Sequence, residues 1–192
     1  MHVIRRPRPS AAHSFAQPRF HAPRRGETRH RRQALWHAWS PSRDGAGGGG
    51  GGTGSRRVLI VDDESSIRLV CSINFAASGW DCTEAADGQE ALDRIRHDRP
   101  DVVLLDVMMP RVDGWTVAER LAADGDTADV PIVFLTARAE QRDRERAHRL
   151  GAVGYLTKPL DPVQLPDQID AIVERVRRGE RDALRQELLE AR

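Results

Sequence analysis

Five short runs rich in apolar residues recur along the second part of the chain, and helix-length segments separate them. The runs are RVLIV at 57–61, WDCTEA at 80–85, DVVLLD at 101–106, PIVFLT at 131–136 and VGYLTK at 153–158. The segments between and after the runs place apolar residues at helical spacing, as at Ile169, Ile172, Val173 and Val176. Strand and helix therefore alternate five times, which predicts a parallel sheet with helices on both faces.

The strands are of two kinds. Residues 58–61 and 102–105 are apolar at every position, as a strand covered on both faces requires. Residues 80–85 mix Asp81, Thr83 and Glu84 with apolar residues, which is typical of an edge strand. The predicted fold class is α/β, a doubly wound five-stranded parallel sheet.

The predicted buried side of the first helix contains both apolar residues and one polar residue. Ile67, Val70 and Cys71 predict its buried side, and Asn74 falls on the same stripe. A buried amide needs hydrogen-bond partners, so this helix is expected to be rearranged or weakened there.

Residues with known end preferences bound several helices. Ser65 or Ser66 is expected to cap the first helix and Asp113 the third, because short polar side chains accept from free backbone N–H groups. Gly79 and Gly151 follow helices at points where a left-handed residue is favoured.

Charge and composition divide the chain. Twelve arginines and two acids give residues 1–57 a formal charge of +10, so the remainder carries −9 of the whole chain's +1. Residues 45–54 contain eight glycines, which predicts a flexible linker. We therefore expect a disordered Arg/Pro-rich arm with its linker at 1–55, a folded domain at 56–178, and a C-terminal helical extension without an output domain at 179–192.

The composition also narrows the class of protein. Cys71 and Cys82 lack any metal-type spacing and are expected to be buried free thiols. No apolar run has the length of a membrane span, and the first residues lack the apolar core of a signal peptide. These features predict a soluble cytoplasmic protein.

Four predicted strands end in a charged or hydroxyl side chain. The first is followed by Asp62, Asp63 and Glu64, the third ends in Asp106, the fourth in Thr136, and the fifth is followed by Lys158, the only lysine of the chain. Ligands of open parallel α/β sheets bind at the carboxyl ends of the strands. Carboxylates and a hydroxyl suit Mg²⁺, and a nearby ammonium suits a phosphoryl group. Helix capping by the first acids is the alternative for that cluster.

These motifs resemble a known family. The chain resembles the receiver domain of two-component response regulators in the motifs VLIVDDE, VVLLDVMMPRVDGW, PIVFLTA and GYLTKP. Along the chain, Asp106 follows Asp62 by 44 positions, Thr136 follows Asp106 by 30, and Lys158 follows Thr136 by 22. The resemblance implies a flavodoxin-like sheet with strand order 2-1-3-4-5. It also implies that Asp106 accepts a phosphoryl group from a histidine kinase or a histidine phosphotransfer protein.

The resemblance assigns a role to each site residue. It implies that Asp63 and Asp106 bind Mg²⁺ with the backbone carbonyl of Met108, and that Asp62 assists through a water molecule.

The same resemblance implies that Thr136 and Lys158 contact the phosphoryl oxygens. Ala137 is small enough to admit a phosphodonor, and Tyr155 resembles the aromatic switch residue, whose ring turns inward when Thr136 moves toward the phosphate. The peptide bond before Pro159 is expected to be cis.

Three functions follow as hypotheses. The first is a single-domain response regulator that catalyses only its own Mg²⁺-dependent phosphorylation and dephosphorylation, and that signals to a protein target through its fourth helix, fifth strand and fifth helix. The second is a regulator whose basic arm, with Trp36 and Trp39, binds nucleic acid. The third is a phosphatase of the haloacid dehalogenase type, which the missing second acid at Met108 disfavours. Contact of the C-terminal helix with a partner or a second copy stays an open alternative.

Overall fold

The computed structural model describes residues 55–137 and 140–190. The predicted arm and almost all of its linker, including Trp36 and Trp39, therefore lie outside the described residues. The strands are β1 (Arg57–Val61), β2 (Asp81–Ala85), β3 (Val102–Asp106), β4 (Ile132–Thr136) and β5 (Gly154–Thr157). The helices are α1 (Ser65–Ala77), α2 (Gly88–Asp98), α3 (Gly114–Ala123), α4 (Gln141–Arg149), α5 (Leu165–Arg177) and α6 (Arg181–Glu190).

The strands form one parallel sheet with the order β2-β1-β3-β4-β5. This order confirms the predicted fold class and the edge position of β2. The register pairs Val61 with Leu105 and Thr136 with Thr157, so the carboxyl ends of the strands lie along one edge of the sheet. That edge is where the predicted site residues should meet.

Each face of the sheet has its own apolar core. Alternate residues of the central strands enter the two cores, since successive side chains of a strand point to opposite faces. Leu59, Val61, Val103, Leu105, Ile132 and Phe134 belong to one core, and Val58, Ile60, Val102, Leu104, Val133 and Leu135 to the other. This division explains why the central strands are apolar at consecutive positions.

The expected face of α1 was partly wrong. The buried residues of this helix are Cys71, Ser72 and Phe75, whereas Val70 is 42% exposed. Asn74 is half-buried and donates to the carbonyl of Val70 at 2.8 Å, so its amide needs no rearrangement of the helix. The reason is helical phase, because residues 71 and 75 share a face from which 70 and 74 are rotated by one position.

The helix ends follow the predictions except at α1. Asp113 accepts from the backbone N–H of Thr116 at 2.7 Å, and Gly79 and Gly151 have φ angles of +84° and +79°. The predicted serine cap of α1 was wrong: Glu64 holds the N-cap position there and its side chain makes no capping hydrogen bond. Both cysteines are buried free thiols, as predicted.

The last helix packs on the domain. Leu184 and Leu188 of α6 are buried, and α6 contacts α4, α5 and β5. None of the helices among the described residues combines the length and the apolar character that crossing a membrane requires.

Candidate functional site

Three carboxylates converge at the carboxyl end of the sheet. Asp62 and Asp63 follow β1, and Asp106 ends the neighbouring strand β3. One carboxylate oxygen from each of the three lies within 4.8 Å of the others. The parallel register of β1 and β3 brings them together, since both strands end at the same level.

Asp62 is the most enclosed of the three acids. Its side chain is 1% exposed, and it accepts from the backbone N–H of Glu64 at 2.9 Å. The ammonium Nζ of Lys158 donates to its other oxygen at 2.7 Å. Asp62 therefore accepts from one backbone donor and one charged donor, and it orients the lysine.

Asp106 is buried and only partly satisfied. Lys158 Nζ lies 3.2 Å from Oδ1 of Asp106, which is an ion-pair contact. Its geometry does not make a hydrogen bond, so Oδ1 is buried without a hydrogen-bond partner among the described residues. Burial raises the pKa of Asp106, with Asp62 acting in the same direction and Lys158 opposing it.

Lys158 joins the fifth strand to this cluster. Its backbone N–H donates to the carbonyl of Thr136 at 2.7 Å, and the Lys158–Pro159 peptide bond is cis. Burial works against the ammonium, but the hydrogen bond from Lys158 to Asp62 and the charge of Asp106 outweigh it, so the pKa of Lys158 is raised. A single ammonium faces three carboxylates, and the site remains negative and suited to a cation.

Thr136 and Tyr155 form a buried polar contact beside the cluster. Thr136 is 3% and Tyr155 7% exposed, and their hydroxyl groups are hydrogen-bonded. The Tyr155 ring lies 6.3 Å from the ring of Phe134, and the guanidinium of Arg144 lies 5.3 Å from its centre. Burial raises the pKa of the Tyr155 phenol, while the bond with Thr136 opposes the shift. The ring of Tyr155 thus points inward in this structure.

The opening of the site is lined by small or exposed residues. Met108 is 71% exposed, and its backbone N–H interacts with the Asp106 carboxylate. Ala137 and Asp63 are also exposed. These exposed residues lie just after the carboxyl ends of β1, β3 and β4, next to the buried Asp106 in the chain or across the sheet.

Gly114 lets that loop return to the site. A Cβ atom at this position would lie 2.2 Å from the carbonyl oxygen of Asp106. The backbone N–H of Gly114 donates to the carbonyl of Val107 at 3.1 Å, so α3 begins directly against the end of β3. Gly114 was not among the predicted site residues, although its place next to the capping Asp113 was a usable signal.

Arg68 was also missed. It donates to the backbone carbonyl of Asp62 at 2.6 Å and to Glu84 at 3.2 Å. Ser72 donates to the same glutamate at 2.7 Å. This network ties the acidic loop to α1 and β2, and no local pattern in the sequence indicates it, because the partners lie on three separate elements.

An apolar surface adjoins the site. A cleft of about 520 Å³ lies between α1 and the loop after β5, and its lining includes Val70, Cys71, Lys158 and Pro159. Leu69 and Ile73 of α1 are 57% and 59% exposed. Exposed apolar residues grouped beside a charged site are typical of a surface that binds another protein.

Comparison with known proteins agrees with this geometry. The family described as the response regulator receiver domain matches residues 58–170. The chain therefore belongs to the response regulator receiver family of two-component signalling systems, as the sequence motifs predicted.

Curated relatives include longer transcription regulators. The chain is 41% identical over 123 residues to the probable transcriptional regulator ycf27 of Guillardia theta, a match that covers 64% of this chain and 47% of that protein. It is 38% identical over 133 residues to the DNA-binding dual master transcriptional regulator RpaA of Synechocystis, covering 69% and 55%. The chain spans about half the length of these relatives.

Solved structures of shorter chains also match. The chemotaxis protein CheY4 of Vibrio cholerae has 31% identity and a TM-score of 0.59, covering 62% of this chain and 99% of that one. A putative response regulator from Chloroflexus aurantiacus has 31% identity and a TM-score of 0.59, covering 64% and 100%. The described fold therefore corresponds to whole chains of this family.

Proposed function

We propose that this protein is a response regulator that accepts a phosphoryl group on Asp106 from a histidine kinase or a histidine phosphotransfer protein. The observation that carries the proposal is the unsatisfied Oδ1 of Asp106, which is buried within reach of two further carboxylates and one ammonium. An oxygen that has no hydrogen-bond partner, and only an ion-pair contact with Lys158, is available both to a cation and to an electrophilic phosphorus.

Asp106 acts as the nucleophile in the proposed reaction. An oxygen of its carboxylate forms a bond to phosphorus while the bond from phosphorus to the donor's imidazole nitrogen breaks. The electron pair of the broken bond stays with the imidazole, and an acyl phosphate results. Burial raises the pKa of Asp106, and the ammonium of Lys158 opposes that effect and so favours the charged form that attacks phosphorus.

The residues present fit Mg²⁺. All the candidate ligands are oxygens, with Asp63 exposed and Asp106 offering an oxygen that has no hydrogen-bond partner, and we expect the backbone carbonyl of Met108 to complete the protein ligands. Asp62 is occupied by two donors, which favours an indirect role through water. When bound, Mg²⁺ neutralises the charge that gathers on the phosphoryl oxygens.

Lys158 and Thr136 then hold the transferred group. Lys158 already lies between Asp62 and Asp106, so it can keep its ion pair with one of these acids while it donates to a phosphoryl oxygen. Thr136 would exchange its bond with Tyr155 for one with the phosphoryl group. This exchange would change the environment of Tyr155 and so report the phosphorylation to the face formed by α4, β5 and α5, which we propose as the output face toward a protein target.

The phosphodonor would approach from the side of α1. The exposed side chains of Leu69 and Ile73 lie on α1, the helix that forms one side of the cleft, and Lys158 lines that cleft. We propose that the protein works in the cytoplasm and that its chemistry is limited to its own phosphorylation and dephosphorylation.

Acetyl phosphate with Mg²⁺ tests the proposal. Intact mass should show a phosphoryl adduct on the wild type, and the adduct should be absent from Asp106→Asn and retained by Asp101→Asn, which removes an acid at the opposite end of β3. An adduct that persists in Asp106→Asn would contradict the assigned acceptor, and an adduct without Mg²⁺ would contradict the metal role.

A nucleic-acid-binding regulator is the second candidate. The +10 charge of residues 1–57 favours it, and the relative RpaA is described as DNA-binding. Deleting residues 1–55 separates the candidates: affinity for duplex or single-stranded nucleic acid that disappears on deletion would support the arm, whereas affinity that is absent or unchanged would remove it.

A further inference from the structure

The helix α6 occupies the face that α4, β5 and α5 form. It contacts all three elements, and among the described elements α4 packs more extensively on α6 than on any other. Leu184 and Leu188, one turn apart, are 5% and 7% exposed, whereas α4 buries only Ala147 among its nine residues. The polar helices α4 and α6 therefore shield much of each other from solvent.

Charged contacts fix the position of α6. The guanidinium of Arg175, on α5, binds both carboxylate oxygens of Glu187 at 2.6 and 2.8 Å, and it contacts Glu180 at 3.0 Å. Arg185 donates to the carbonyl of His148 at 3.2 Å. A bidentate pair of this kind specifies orientation as well as attraction.

Several features make this attachment weak. Glu187 is 56% exposed, so salt and water screen its pair with Arg175. Nε of Arg185 is buried and finds no hydrogen-bond partner among the described residues. Gly179, with φ +81°, forms the turn between α5 and α6. An element held by two apolar side chains and exposed ion pairs opens more readily than the sheet.

We propose that α6 is a self-bound cover of the α4–β5–α5 face, and that the uncovered face binds a partner helix of the same chemistry. Such a helix carries two leucines one turn apart and a carboxylate that reaches Arg175, since these are the groups that α6 itself places on the face. The partner competes with α6 for this face. The larger the fraction of molecules in which α6 lies on the face, the weaker is the apparent affinity for the partner. The inference rests on the proposed function only in treating this face as the output surface.

Hydrogen exchange on the full chain tests the cover. Amides of α6 should exchange about a hundredfold faster than those of β1 and β3, because α6 opens locally. Leu188→Glu should remove the protection of α6 and leave the sheet protected. Gln186→Glu, which adds the same charge at an exposed position of the same helix, should match the wild type. Loss of sheet protection in step with α6 would overturn the inference, because α6 would then belong to the cooperative core.

A labelled peptide of residues 179–190 tests the chemistry of the partner. Full-length Leu188→Glu should bind it at least about tenfold more tightly than the wild type or Gln186→Glu, since its own α6 no longer competes. A peptide with Leu184 and Leu188 changed to alanine should not bind. Equal binding by all three proteins, or none by Leu188→Glu, would overturn the proposal.

Both experiments are made without Mg²⁺ or phosphodonor. Failure of Asp106 to accept a phosphoryl group would therefore leave their outcome standing. Conversely, normal phosphorylation together with a negative peptide result would refute the cover and leave the proposed function intact.

Discussion

Replacing Asp106 by asparagine is expected to stabilise the metal-free protein. Asp106 lies within 4.8 Å of Asp62 and Asp63 and 3.2 Å from the ammonium of Lys158. At an effective dielectric constant of about 20, the repulsion by Asp62 amounts to about 3.5 kcal/mol and the attraction to Lys158 to about 5 kcal/mol, while water screens the repulsion by the exposed Asp63. The attraction offsets the repulsions, and burial of the charged carboxylate decides the sign, in agreement with the raised pKa of Asp106.

Asp106→Asn should therefore raise the free energy of unfolding by about 1–3 kcal/mol and Tm by about 3–10 °C in a chelator. The difference depends on pH. Because the folded-state pKa of Asp106 is raised, the wild type is stabilised by protonation at low pH and loses that contribution as pH rises through the folded-state pKa. The advantage of the variant should thus appear as pH rises above about 4, the ordinary carboxyl value.

Urea unfolding in a chelator and then with increasing Mg²⁺ measures the effect. Mg²⁺ at a hundredfold excess over its Kd should stabilise the wild type by about 2.7 kcal/mol, and the variant much less because it lacks one carboxylate ligand. Asp126→Asn, which removes an exposed acid, is the control and should change neither quantity. A variant less stable than the wild type in the chelator, or an equal gain from Mg²⁺ in both, would refute the electrostatic reasoning.

Three further predictions concern single residues. Lys158→Arg should fold normally but accept a phosphoryl group from acetyl phosphate at least about tenfold more slowly by intact mass, because a bidentate guanidinium would hold Asp106; an unchanged rate would contradict this. Gly114→Ala should cost about 3 kcal/mol or more in urea unfolding, since its Cβ would lie 2.2 Å from a backbone oxygen, whereas Gly125→Ala, with nothing within 4 Å, should cost less than about 1 kcal/mol. Absorbance at alkaline pH should show Tyr155, the single tyrosine, ionising above its ordinary pKa, so its contribution to stability is lost as pH rises through that raised value; normal titration would contradict its burial.

The sequence determined the sheet and the order of the chemical groups along it. Parallel strands such as 58–61 and 102–105 are buried on both faces, so each position must be apolar, and this requirement is visible without any tertiary information. The pattern of apolar positions was a weaker guide to the buried face of a helix that is only partly apolar. In α1, Val70 and Asn74 matched a helical spacing, but the packing of Cys71 and Phe75 set the actual phase.

The tertiary structure decided which groups touch. Lys158 pairs with Asp62, 96 residues earlier, and the hydroxyl groups of Thr136 and Tyr155 bond to each other. Periodicity depends on neighbours along the chain, whereas these contacts depend on the register of separate strands and on how each side chain is enclosed.

For α6, too, the sequence predicts the helix and the tertiary structure decides where it packs. The sequence predicts a helix from the spacing of Leu184 and Leu188, but two leucines do not specify a surface. The face they cover is set by the exposed side of α4 and by Arg175, which come from other parts of the chain. The sequence thus determined the scaffold and the reactive groups, and only the packing of distant elements decided how those groups pair and which surface the last helix covers.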